Sequence, residues 1–269
     1  MIDLITFRSK LNTLIGDVTS GKTTDNGDAD GITAIDSLLL RFPDDYFKDY
    51  VFYLPSVPAS QIIRSSSSID GKLTFYNPFA SQVANDTSYE IHRFSLEDKK
   101  LAINKALLDA YPYFFKLVTD TTLLGKGSLD TEYNVPTALG DYFPKEIWIK
   151  HVSDKQIYHE RVLTVDYKDV KKFYAVIPKD KTILLIAEIP LSQFTNDASE
   201  TELTSPQADI VCLKSASNLY QMFVNKVDSQ DAARFEALIA RFEIQWEGLK
   251  RVRAMKSHTT VEVDWSWAK

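Results

Sequence analysis

"GDVTSGKT", residues 16–23, is a literal match to the phosphate-binding loop pattern of glycine, four residues, then Gly-Lys-Thr. How it is read decides what the rest of the chain is built around. In a nucleotide-binding protein an apolar strand delivers this loop and a helix begins at the lysine. Backbone N–H groups and the helix dipole then meet the phosphates. Neither flank supplies that setting. The preceding "LNTLI" belongs to an amphipathic stripe of Leu4, Phe7, Leu11, Leu14 and Ile15, spaced for a helix. After Lys22 the chain runs "TTDNGDADG", a glycine- and aspartate-rich stretch that reads as a surface loop. No later run of apolar residues ends in an aspartate for magnesium, and "LLIAE" comes nearest. The stretch therefore reads as a chance match. A P-loop nucleotide-binding protein stays as an alternative that Lys22 tests.

The same loop holds "NGDADG", which would place Asn26, Asp28, Asp30 and Gly31 at the opening positions of an EF-hand. Position twelve is then Ser37, where a bidentate glutamate is required, so no calcium site is assigned. Instead Asp30 is expected to cap a second helix from Ile32 to Phe42, closed by Pro43.

Outward from this loop the pattern alternates between β and helical blocks. "SQIIRS", "KLTFYN" and "SYEIHRF" are candidate strands between Val51 and Phe94. Ser95 caps a helix that carries Leu101, Ala102, Ala106, Leu107, Leu108 and Ala110, and Pro112 bends or ends it. Residues 121–143 read as a long irregular loop of functional or interface type. Four strand signals follow, "EIWIKHV", "IYHERVLTV", "KKFYAVI" and "KTILLIAEI", separated by turn-prone residues as in an antiparallel meander. Thr204 and Gln207 have capping-box spacing, with Pro206 in the first turn. Leu213, Ala216, Tyr220, Phe223 and Val227 repeat helically, and so do Phe235, Ile239, Phe242, Trp246 and Leu249, giving a helical hairpin. Tyr220, Phe235, Phe242 and Trp246 are assigned to the core. The tail "TTVEVDWSWAK" alternates Val261, Val263, Trp265 and Trp267 like a lone strand.

The fold class expected is α+β, an antiparallel β-sheet and meander region combined with helices, ending in a helical hairpin and an extended tail. Its divisions are 1–50 (N-terminal helices and acidic loop), 51–256 (main body) and 257–269 (C-terminal arm). Within the body lie β segments 51–94, helix 95–118, loop 119–143, meander 144–190 and hairpin 204–256.

The 269 residues include 44% hydrophobic and 12% aromatic side chains, ample for a large core. A net charge of −6 argues against a general nucleic-acid binder. The single cysteine, Cys212, sits in an apolar helical stripe and reads as a buried structural thiol. "ILLIA" is too short to cross a bilayer, and "MIDLITFRSK" has no signal-peptide core. A soluble protein made in a reducing compartment is expected. His92, His151, His159 and His258 show no helical metal spacing, although His151 and His159 could face each other across a hairpin. No Gly-x-Ser-x-Gly elbow and no carboxylate dyad stands out, so no catalytic, cofactor or metal residues are assigned. Lys250, Arg251, Arg253 and Lys256 complement the last helix dipole, or meet a phosphate or acidic partner.

The run from "KTILLIAEIPL" through "ELTSPQADIVCLKSASNLY" to "DAARFEALIARFEIQWEGLKRVR" resembles the ending of the neck proteins of tailed bacteriophages, the head–tail connector or adaptor family. "YEIHRFSLEDKKLAINKALLDAYP" is similar to that family's passage from a β region into a helix. The resemblance implies a virion protein, made in the host cytoplasm, that joins the portal to the tail without enzymatic activity. It implies a homo-oligomeric ring, commonly twelvefold, contacting the portal protein and the next neck or tail protein. DNA would pass through its lumen without specific binding, and no membrane or cofactor is involved. Another tail component, for fibre attachment or the baseplate, is the rival. Interface residues are expected at Leu123, Leu124, Tyr133, Tyr142, Arg251, Arg253, Trp265 and Trp267.

Overall fold

Asp3 starts the first helix. A computed structural model of the chain describes residues 1–252 apart from 128–130, 141, 143, 154–155, 163–165 and 170–171. After a two-residue strand, β1 (Ile2–Asp3), the Asp3 carboxylate accepts from Thr6 N at 2.7 Å and opens α1 (Leu4–Ile15). Gly16 ends the helix in the left-handed region at φ 65°, where a side chain would be strained, and its N–H returns to Asn12 O. The first glycine of "GDVTSGKT" is thus a helix stop.

The next residues form strands where a loop and a helix were expected. β2 (Thr19–Lys22) and β3 (Thr33–Ile35) are short, and Ser37–Arg41 is a single 3₁₀ segment. Asp36, not Asp30, caps that segment by accepting from Leu38 N. Asp30 instead closes a local turn onto Ile32 N. The helix expected over 32–42 does not form because Thr33–Ile35 pair with Lys72–Thr74 instead, and only Ser37–Arg41, capped by Asp36, turns helically. β4 (Val51–Leu54), β5 (Ala59–Ser66), β6 (Lys72–Phe75) and β7 (Ser88–His92) follow, as the alternating patterns imply.

These six strands form one antiparallel sheet in the order β2-β7-β4-β5-β6-β3. The sheet curls until its edges meet at one point. Thr24 N donates to Ile35 O at 2.9 Å, and Asp25 bridges Ile35. The result is a small barrel filled by Leu39, Phe47, Phe52, Ile63, Leu73, Phe75, Phe79, Tyr89 and Ile91. It takes strands from both sides of residue 50, so a division there cuts through one core.

Ser95 caps α2 (Leu96–Asp109) by accepting from Asp98 N. The helix ends well before 118, because the chain turns into a further strand, β8 (Lys116–Asp120). The expected loop at 119–143 is partly paired. It contains β9 (Glu132–Asn134), and Leu124 and Gly127 bridge Thr182 and Ile177. β10 (Pro144–Ser153), β11 (Gln156–Arg161), β12 (Asp166–Asp169), β13 (Lys172–Tyr174) and β14 (Thr182–Ile189) then appear in turn. They are not a simple meander. β10 pairs with both β11 and β14, giving the sheet β11-β10-β14-β8, while β12 and β13 join β9 in a second sheet. The two sheets share the apolar cluster of Tyr133, Ile147, Phe173, Ile177, Ile183 and Leu185.

β15 (Glu200–Thr201) pairs back onto β1 and fixes the N-terminus beside the start of α3 (Ser205–Phe223). Gln207 accepts from Thr204 N at 2.8 Å, so the capping box read from the sequence is formed. The Asp228 carboxylate accepts from Gln230 N and Asp231 N and turns the chain into α4 (Ser229–Val252). α3 packs against α1, α2 and α4. Leu4, Phe7, Leu11, Ile103, Leu107, Val211, Leu219, Phe235, Phe242 and Trp246 form its core, each large side chain contributing roughly 1.5–3 kcal/mol. Cys212 is buried there, and burial pushes its thiol pKa up. The fold is α+β as expected. The tail pattern, with His258, lies outside the described residues. No described helix is long and apolar enough to cross a membrane.

Candidate functional site

The barrel and the helices meet at the segment after Gly16, and the polar chemistry of the chain concentrates there. The Asp17 carboxylate lies at the junction. Oδ1 accepts from Arg93 N at 2.6 Å and Oδ2 from Phe94 N at 3.3 Å, so it receives the chain as β7 ends. Lys99 reaches the same carboxylate from α2, with Nζ 2.8 Å from Oδ2. Lys99 has no exposed surface. Its ammonium also meets Asn12 Oδ1 at 2.7 Å and His92 Nδ1 at 2.9 Å. Three acceptors for three N–H bonds satisfy a buried cation. The His92 ring is held on both sides, with Nδ1 3.1 Å from the Asp17 carbonyl oxygen as well as beside Lys99, and Nε2 2.9 Å from Glu90.

The electrostatics follow from this enclosure. Burial pushes the Lys99 pKa down and Asp17 opposes it. The hydrogen bond from His92 holds the Glu90 carboxyl below its usual range, against a smaller desolvation cost. A sealed lysine cannot reach a substrate. The cluster locks α1, α2 and β7 together.

A cleft of about 400 Å³ opens on the solvent side of this junction. Arg93 crosses it, paired with Asp231 at 2.5 Å and lying 4.9 Å over the Phe235 ring. Tyr46, Tyr50, Tyr220 and Arg234 complete its walls. Burial raises the phenol pKa of both Tyr50 and Tyr220, so both stay protonated donors at neutral pH.

The second glycine of the opening stretch has a packing role. Gly21 sits in β2 opposite Tyr89. A Cβ there would come within 2.7 Å of Tyr89 Oη and 2.8 Å of Asp36 Oδ2. Those two atoms are themselves bonded at 2.5 Å. Lys22 lies on the outer face, its amine paired with Asp86, and both side chains are largely exposed. No helix starts at the lysine, so backbone N–H groups do not converge on a phosphate there. The "NGDADG" oxygens are also engaged separately. Asn26 Oδ1 accepts from Asn85 N, Asp28 pairs with Lys72, and Asp30 accepts from Ile32 N.

The residues expected at interfaces separate into three groups. Leu124 is 55% exposed, and Leu123 is half-buried against the second β core. Tyr133 is enclosed at 1% exposure. Its ring stacks on Phe173 and its hydroxyl accepts from Lys126 N, so it is a core residue with no surface for a neighbour. Its place in a run read as irregular concealed that. Tyr142 packs on Tyr111, and Lys250 lies over Tyr113, so Tyr142 and the last turn of α4 border the same segment. Arg251 is exposed on that turn. Arg253, Trp265 and Trp267 lie outside the described residues. Tyr220, Phe235, Phe242 and Trp246 are core, as expected. His151 pairs with Tyr158 and His159 with Lys150, so the two histidines are not register partners.

Sequence reading missed the buried cluster, although a signal was present. Lys99 occupies the apolar stripe of α2 with Ala102, Ile103, Ala106 and Leu107. A lysine in such a stripe needs a buried partner. Comparison with protein-family models matches none of them, and comparison with curated protein sequences gives no match.

Proposed function

We propose that the chain is a structural subunit of a tailed-phage neck, a head–tail connector that closes into a ring between the portal and the tail. The observation that carries this reading is the outward side of α4. Ile244 and Val252 are 73% and 75% exposed, and the exposed Ala233, Ala237 and Ala240 lie on the same side as Ile244 between charged flanks. A long helix buried along one narrow stripe, with apolar residues on its free side, suits a neighbouring subunit. The similarity of 181–253 to the ending of connector proteins supports the same reading. A ring requires heterologous contacts that close, and the acidic net charge suits a channel over which DNA slides without sticking.

Native mass spectrometry of the purified chain, together with copy counting in virus particles, tests the proposal. A closed oligomer and roughly a dozen copies per particle support a ring at the neck. Absence from the particle, or a copy number in the hundreds, overturns it.

A further inference from the structure

The cleft between the barrel and the helices holds hydrogen-bond donors that the fold does not use. Tyr220, on α3, is only 6% exposed. Its ring is fixed by Phe94, Phe235 and Phe242, whose centroids lie 5.6, 4.9 and 6.2 Å away. Its hydroxyl makes no hydrogen bond among the described residues. It differs from the sealed unpartnered oxygens of Glu188, Thr201 and Asn218 in meeting open space, and that space is the cleft. A phenol held this deep needs a partner from outside the fold. Tyr50 lines the same cleft from the barrel side, and its hydroxyl also has no partner among the described residues. The Arg93 charge acts on both hydroxyls, against the effect of burial, so the two phenols approach one guanidinium from opposite walls.

The charges show what such a partner must be. Four charged residues line the cleft: Asp17, Arg93, Asp231 and Arg234. Asp17 is satisfied by Lys99 and two backbone N–H groups. Asp231 is neutralised by Arg93, which commits one bond to it and keeps other N–H groups over. Arg234 forms no ion pair among the described residues, so its charge is left unbalanced. Phenol O–H and guanidinium N–H groups with one positive charge in excess select an anion rich in acceptors. The volume of about 400 Å³ exceeds what a bare phosphate or carboxylate fills and lies in the range of small-molecule sites. Leu238 and the half-exposed Tyr46 ring offer contact for the remainder of the ligand.

We propose that the cleft between Tyr50, Arg93, Tyr220 and Arg234 is a binding site for a small organic oxyanion. Its carboxylate or phosphate group accepts from the two phenols and Arg234, while its body packs on Tyr46 and Leu238. Because burial keeps both phenols protonated, neither becomes a negative charge that would repel the ligand. The occupant touches the barrel through Tyr50 and the helices through Tyr220 and Arg234, so it ties the two modules together. The site does not depend on the ring reading.

The test titrates the full chain at low salt with phenyl phosphate, benzoate and inorganic phosphate, followed by calorimetry and thermal shift, with benzyl alcohol as the neutral control. Expected is saturable binding of phenyl phosphate or benzoate, the tighter of the two naming the head group. Contact with the body should make it about tenfold tighter than inorganic phosphate. Tyr220→Phe should weaken binding about tenfold, as for one lost hydrogen bond to a charged acceptor. Its ligand-free melting temperature should stay at the parent value, since the hydroxyl has no protein partner to lose. Arg234→Gln should weaken binding by about tenfold or more, again with little change in the free chain. The proposal is overturned if no anion saturates, if benzyl alcohol or inorganic phosphate binds as well as phenyl phosphate and benzoate, or if both variants bind like the parent. A Tyr220→Phe chain that melts well below the parent also overturns it, because the hydroxyl would then serve the fold. None of these outcomes bears on copy number, so the ring reading stands or falls separately.

Discussion

The barrel and the helical layer each bury one aspartate, and they satisfy it differently. In the barrel, Asp36 meets the neutral Tyr89 hydroxyl and Leu38 N. At the helical junction, Asp17 meets a lysine with no exposed surface as well as two backbone N–H groups. The barrel carboxylate is tied within its own module. The junction carboxylate ties α1, α2 and β7 to one another, so its loss reaches both modules. Burial of the same chemical group therefore has unequal consequences, set by whether the partner left behind is a charge or a hydroxyl.

The sharpest way to break the comparison is Asp17→Ala. It strands the Lys99 ammonium and two backbone N–H groups, and should cost about 3–5 kcal/mol in denaturant titration. Adding Lys99→Met should recover part of that loss, since the stranded charge is gone. If the double variant is no more stable than Asp17→Ala alone, the charge is not what makes the junction sensitive.

Within the barrel, Gly21→Ala drives a methyl against Tyr89 and Asp36 and should cost about 1–3 kcal/mol. Tyr89→Phe leaves a carboxylate oxygen short of a donor and should cost about 1–3 kcal/mol as well. Its pH dependence is distinctive. Burial, and then the Asp36 hydrogen bond, raise the Tyr89 pKa well above the phenol value of 10.0. The unfolded chain releases this proton above pH 10 while the folded chain keeps it. Stability tied to Tyr89 is therefore full below pH 10 and is lost as the pH rises further. Melting temperatures followed upward from pH 9 should fall less steeply for Tyr89→Phe than for the parent.

Glu90 acts at the other end of the scale. Its hydrogen bond from His92 lowers its pKa below 4.5, so its contribution is present above 4.5 and is lost as acid protonates it in the folded state. The carboxylate is over a third exposed, and solvent screens the effect. Glu90→Gln should flatten the acid limb of stability only slightly, and an unchanged limb would remove Glu90 from the junction's electrostatics.

The helices and their caps were legible because each signal is local. The capping box at Thr204, the Ser95 cap and the stripe of α1 need only a few neighbouring residues. The barrel's closing strands were not. β2 reads Thr-Ser-Gly-Lys, with half-exposed and exposed positions alternating, so no apolar period marks it. It is a strand because β7 pairs with it, from the other end of the barrel segment. The second β region misled for a related reason. Its four strand signals all fall on strands, but "DYKD", read as a turn, is β12, and β13 leaves β14 to lie between β12 and β9, a pairing that depends on the shared core around Phe173. At the junction, Lys99 was visible as a breach in an apolar stripe, while its partner Asp17 was hidden in a motif that suggested a different use.

That motif supplies the smallest expected effect. Lys22 is the residue on which a phosphate site would depend, and here it makes an exposed pair with Asp86 on the outer face of β2. Exposed pairs contribute about 0–1 kcal/mol, so Lys22→Ala should leave the melting temperature nearly unchanged. The parent chain should likewise show no thermal shift with ATP or GTP and magnesium, because a strand whose inner face is filled by Tyr89 and Asp36 gathers no N–H groups toward an anion. A nucleotide-dependent shift that Lys22→Ala abolished would mean that Gly16–Thr23 rearranges on binding. Gly21 would then lose its packing explanation, and the comparison of the two buried aspartates would have to be redrawn around a barrel edge that opens.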